Sequence, residues 1–136
     1  MSSTAPVRQR STAGLWVLRI LGAALLLAIA GIHLYLWQQG YRDIDVIGPA
    51  FLLQTVLAVG GALLVLAAPR RLLPWAAAAG AAFAAGSLGA LVLSTTVGLF
   101  GFVETTQAQL WWESFWVEIA AAVVLGVLTA LSAQRR

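Results

Sequence analysis

Four long, mostly apolar runs dominate this chain, at about residues 15–39, 49–68, 75–100 and 111–133. A helix of about 20 apolar residues matches the hydrocarbon thickness of a bilayer. In lipid a spanning segment must satisfy its own backbone hydrogen bonds, so runs of this length are read as membrane helices. Hydrophobic residues make up 61% of the 136 residues and charged residues 10%, so a water-soluble domain of this size has no way to hide its apolar surface. The same composition excludes a disordered chain. The absence of cysteine excludes a disulfide scaffold, a thiol–disulfide oxidoreductase and Cys-ligated metal sites. The expected fold is all-α: an integral membrane four-helix bundle, antiparallel and up-down.

The run boundaries carry their own signals. Ser11 and Thr12 can cap the first helix, and Gly40 suits the position just past its end. Pro49 and Pro74 fit first helical turns, and Pro69 stops the second run. Gly101 is expected to close the third. Thr106 with Gln109 reads as a capping box, which would start helix four in the loop. Residues 1–13, rich in Ser, Thr and Arg, read as a flexible cytoplasmic N-terminal tail preceding a single transmembrane domain at 14–134. The first apolar run is too long for a signal-peptide core and reads as a retained anchor.

Most of the eight arginines and five acids sort by side, with Arg42 the only cation among the acidic connections. Arg8, Arg10, Arg70, Arg71, Arg135 and Arg136 flank one set of helix ends, whereas Asp43, Asp45, Glu104 and Glu113 flank the other. Arginines near span ends mark the cytoplasmic side, so both termini are expected there, in a bacterial cytoplasmic membrane. The net charge of +3 is therefore a topology signal, and no basic face suggests nucleic acid. Trp16 and Trp75 at inner ends and Trp37, Trp111, Trp112 and Trp116 at outer ends read as aromatic belts. Arg19 can snorkel to the inner interface, yet it also lies two heptads before His33, on the same helical stripe.

Placing the remaining polar residues by depth gives a layer. His33, Gln54, Thr95 and Glu118 come one from each run and fall within about a turn of one another, roughly 7–10 Å inside the outer boundary. Ionisable groups in a span usually face the bundle interior and pair, which makes His33 and Glu118 a candidate couple. Tyr41, Arg42, Asp43, Asp45, Glu104 and Glu113 would form an acidic vestibule above. The layer reads either as interhelical hydrogen bonding that holds the bundle or as a polar pocket for a small ligand, proton or quinone. No phosphate loop, nucleophile elbow or paired-histidine site occurs, so no enzyme activity is indicated, no metal is assigned and no cofactor is required. Short loops and the lack of a soluble domain favour an accessory or interaction subunit. Ala77, Ala81, Ala85 and Gly89, spaced by four, offer a small-residue face for helix packing, for a second copy or for a membrane-protein partner.

The stretch Leu18-Arg19-Ile20-Leu21-Gly22 followed by Gly31-Ile32-His33 resembles the first helix of DoxX-like four-span membrane proteins. That resemblance implies a quinone- or sulfur-linked redox setting. His33 to Trp37, Gly40-Tyr41-Arg42, Ile47-Gly48 and Phe51 to Gln54 look like four-span proteins of high-GC bacteria.

Overall fold

The computed structural model describes residues 5–134, with side chains from Thr12 onward. Four helices, α1 (Ala5–Gln38), α2 (Ile47–Ala67), α3 (Leu73–Thr96) and α4 (Trp111–Ala133), account for the fold, with one 3-10 turn at Tyr41–Asp43. All four are long and apolar enough to cross a membrane. Each helix packs against its chain neighbours, and α1 closes the ring on α4. This is the all-α, up-down arrangement that short connections impose.

The inward residues repeat every three and four positions along each helix. On α3 the buried line is Leu73, Ala77, Gly80, Ala84, Ser87 and Ser94; on α4 it is Trp111, Ser114, Glu118, Ala121, Leu125, Leu128 and Ser132. On α1 it includes Leu15, Arg19, Ala23, Leu26, Ile29, Ala30, His33 and Leu36. A mean step of 3.5 keeps a seam facing its partners along a left-handed bundle. The outward residues of α2, among them Val56, Leu57, Leu63 and Leu64, are exposed apolar side chains that suit contact with lipid.

Leu125 lies at the centre, between α1 and α3. A Cβ on Gly22 would meet its Cδ2 at 2.6 Å, and one on Gly80 its Cδ1 at 3.0 Å. The two glycines are thus the hollows that receive this knob, a close approach of the kind small residues permit in lipid. The four-residue stripe behaves differently from end to end. Ala77 is fully buried and Ala81 packs against the core, whereas Ala85 and Gly89 point outward. Steps of four advance about 40° each around a helix, so such a stripe drifts off the seam.

Several boundaries differ from the sequence expectation. The first helix already includes residues 5–13, so the described part of the expected tail is helical; residues 1–4 and Arg135–Arg136 lie outside the described residues, as do the side chains of Arg8 and Arg10. The third helix ends at Thr96 and not near Phe100, because Gly98 adopts φ +88° and its N–H turns back to the Leu93 carbonyl at 2.8 Å. No helix starts at Thr106: residues 106–110 are turns and α4 begins at Trp111. The loop after α3 instead makes a tight reversal, with Leu99 and Phe102 exchanging backbone hydrogen bonds of 2.7 and 2.9 Å across Phe100 and Gly101.

Arg19 reaches along the bundle to the end of α2, where its head group is held by protein groups. It is 6% exposed, its Nε donates to the Val65 carbonyl at 2.9 Å, and its Nη2 donates to the Ala68 carbonyl. Its guanidinium also lies 4.5 Å from the centre of the Trp16 ring. A cation from α1 therefore caps the carbonyl end of α2, where the backbone lacks partners and the helix dipole is negative.

Candidate functional site

The polar residues occupy, in the half of the bundle nearer the α1–α2 and α3–α4 connections, the same seams that are apolar in the other half. On α1 the seam passes from Leu26 and Ala30 to His33; on α2 from Ala62 and Ala58 to Gln54; on α4 from Leu125 and Ala121 to Glu118. Between them opens a cavity of about 350 Å³. Its floor is formed by His33, Gln54, Ser87 and Glu118, and its upper part by Tyr41, Phe102, Glu104 and Leu110.

The floor is organised by a hydrogen-bond chain across three helices. Gln54 Nε2 donates to Ser87 Oγ at 2.8 Å, and Ser87 Oγ donates to Glu118 Oε1 at 2.5 Å. Glu118 is 1% exposed, and its second oxygen, Oε2, has no hydrogen-bond partner. An unsatisfied carboxylate oxygen in that setting calls for an explanation, since buried polar atoms are otherwise almost always paired. His33 holds its ring by donating from Nδ1 to the Ile29 carbonyl at 2.8 Å, one turn back on its own helix. With Nδ1 as the donor, the ring in its uncharged form presents Nε2 as an acceptor. Among the described residues no hydrogen bond or ion pair joins His33 to Glu118; they share the cavity without touching each other.

One wall is a ladder of rings. His33 meets Phe51 edge-to-face at 4.9 Å, Phe51 stacks on Tyr41 at 5.0 Å, and Tyr41 meets Phe102 edge-to-face at 6.0 Å. The opposite wall is Trp111, 7% exposed, whose Nε1 donates to Thr95 Oγ1 at 3.0 Å. At the mouth, the Tyr41 hydroxyl donates to Glu104 Oε2 at 2.6 Å, tying the α1–α2 connection to the α3–α4 loop. Burial above all, then the hydrogen bond and the negative charge of Glu104, push the Tyr41 phenol well above its ordinary pKa. Gln109 Nε2 donates to the Tyr35 hydroxyl at 2.9 Å and adds a second tie.

Of the four residues in the expected polar layer, His33, Gln54 and Glu118 line the cavity. Thr95 does not: its hydroxyl is held by the Leu91 carbonyl and the Trp111 indole, behind the wall. Of the vestibule residues, Tyr41 and Glu104 reach the cavity, whereas Arg42, Asp43, Asp45 and Glu113 are exposed outside it. Arg42 and Asp43 form a loose surface pair at 3.9 Å. Ser87, Phe51 and Trp111 are site residues that depth and charge alone did not single out. Their signal was the heptad step: Ser87 is on the Leu73–Ala77–Gly80–Ala84 line, and Trp111 is one heptad before Glu118. Among the described residues no three His, Asp or Glu side chains gather as metal ligands would. Comparison with family models, with curated proteins and with solved structures finds no match.

Proposed function

We propose that this chain is a ligand-binding membrane protein whose site is the cavity in the outer half of the bundle. The observation that carries this reading is the pairing of a preformed cavity with a buried carboxylate that keeps one oxygen free. A bundle that used Gln54, Ser87 and Glu118 only to hold its helices together would leave less space and fewer open valences there. Of the two sequence expectations, the binding protein therefore has an observation of its own and the accessory subunit has none. The arginine distribution supports a bacterial cytoplasmic membrane with both termini inside, which would place the mouth on the outer side. The cavity size suits a small molecule with an apolar body and one or two polar groups.

The test is to purify the full chain in mild detergent, extract it with organic solvent and compare it by mass spectrometry with an Ala90→Trp variant. Ala90 lines the cavity and carries no polar group, so the larger side chain fills the space without touching the hydrogen-bond chain. A molecule retained by the wild type and lost from an equally stable variant is expected. Identical extracts from the two proteins would overturn the reading.

A further inference from the structure

The free valences of the cavity floor are mostly acceptors. Glu118 Oε2 has no partner, His33 offers Nε2 once Nδ1 is committed to Ile29, and the Gln54 carboxamide oxygen is left after Nε2 donates to Ser87. No arginine lines the cavity and the chain has no lysine; His33 is the only basic side chain in the walls, and no ion pair joins it to Glu118. One wall of the same cavity is aromatic, with Phe51 edge-to-face on His33 and Tyr41 stacked on Phe51. A quinone would bring carbonyl acceptors to a floor of acceptors, and an anion would meet an unscreened carboxylate. A protonated amine brings N–H donors and positive charge together, and aromatic faces attract it further.

We propose that the cavity is a site for a small hydrophobic ammonium ion, a protonated primary amine bearing one aromatic ring or short alkyl group, with its charge held by Glu118. This rests on the ligand-binding reading above and names the class of ligand. The ammonium group donates to Glu118 Oε2 and to whichever of His33 Nε2 and the Gln54 oxygen its remaining protons reach. Its apolar part extends along the Phe51–Tyr41 ladder towards the mouth. The same ammonium chemistry is carried by free amines and by the headgroup of phosphatidylethanolamine.

The test uses the full chain in nanodiscs of phosphatidylglycerol, which has no ammonium headgroup. Binding of 2-phenylethylammonium is followed by quenching of indole fluorescence, beside its neutral counterpart 2-phenylethanol and hydroquinone. The ammonium is expected to bind at least about tenfold tighter than the alcohol, and Glu118→Gln to remove that preference, since an ion pair in a dry site is worth more than a neutral hydrogen bond. Glu118→Asp, which keeps the charge but draws it back by one methylene, is expected to weaken the ammonium about fivefold more than the alcohol, and it serves where Glu118→Gln fails to fold. In phosphatidylethanolamine nanodiscs, a weakened apparent affinity assigns the headgroup as occupant and an unchanged one assigns a free amine; either keeps the ammonium. Equal binding of ammonium and alcohol, or hydroquinone bound best, overturns the ammonium while leaving the cavity a binding site. No binding by any probe, together with identical extracts from the Ala90→Trp comparison, overturns both readings.

Discussion

The hydroxyl of Ser87 donates to Glu118 at 2.5 Å while accepting from Gln54 at 2.8 Å, so one small side chain on α3 couples α2 to α4. Its removal is expected to do more than delete two hydrogen bonds. Ser87→Ala leaves Glu118 with both oxygens unpartnered in a buried site and should lower stability by about 2 kcal/mol, the scale of an orphaned buried polar group. Gln54→Ala alone should cost less, because Ser87 can still donate. The two changes should also be non-additive by about 1 kcal/mol, since they share a partner. Unfolding midpoints of both single variants and the double variant in one detergent check this. Strict additivity would mean that the chain is not a connected unit.

At the opposite end of the bundle, Arg19 binds the carbonyls of Val65 and Ala68. Two charge-assisted hydrogen bonds to helix-end carbonyls, plus the contact with Trp16, predict that Arg19→Ala destabilises by about 3 kcal/mol. Arg19→Lys keeps the charge but lacks the planar fork that reaches two carbonyls at once, so it should recover only about half of the loss. Thermal melting of the three proteins tests the order. Equal melting of Arg19→Lys and wild type would show that charge at the interface suffices and that the geometry is incidental.

Depth along a membrane helix is written in its sequence more plainly than rotation about its axis. The spans were legible because lipid imposes a length and an apolar composition that soluble packing does not. The common depth of His33, Gln54 and Glu118 was legible for the same reason, since depth follows from counting residues along a straight rise. Rotation about the helix axis was harder. It was available in the 3.5-residue step, which places Ser87 and Trp111 inside and turns Thr95 behind the wall, but choosing by depth alone favoured Thr95 over Ser87. The heptad step puts Arg19 on the inward stripe, yet its carbonyl partners lie 46 and 49 residues away at the end of another helix, and local patterning does not register them. The loop reversal at Leu99–Phe102 escaped because Phe100 takes a positive φ of 50°, which few side chains adopt without tertiary support.

The α1–α2 connection stores a similar conformational cost. Val46 has φ 66°, and the Ile47 N–H reaches the Asp45 carbonyl at 2.7 Å across it, a γ-turn centred on a β-branched residue. Val46→Gly should relieve this and raise stability by about 1 kcal/mol despite the added chain entropy. Two residues on, a Cβ at Gly48 would lie 2.4 Å from the Arg42 carbonyl oxygen, and backbone there cannot yield as a side-chain tip can. Gly48→Ala should therefore displace the 3-10 turn and lower stability by about 2 kcal/mol. Because that turn carries Tyr41, it should also impair ligand retention in the cavity. Melting and extraction of the two variants separate the effects: a stable Gly48→Ala protein with an unchanged extract would contradict the assigned contact.

Tyr41 ties the α1–α2 and α3–α4 connections through Glu104, and this predicts an alkaline limit to stability. Burial chiefly, and then Glu104, hold the phenol above its ordinary pKa. The unfolded chain releases this proton near pH 10, whereas the folded chain keeps it to higher pH. Below about pH 10 both states are neutral at Tyr41, so its contribution is fully present; above it the unfolded state binds fewer protons and stability falls as pH rises. Tyr41→Phe should cost about 1 kcal/mol at neutral pH for the lost hydrogen bond. The variant should in turn lack this part of the alkaline decline, so the two unfolding curves converge between about pH 9 and 11. Parallel pH profiles for the two proteins would mean that Tyr41 is free to ionise in the fold and that the Glu104 contact does not close the mouth.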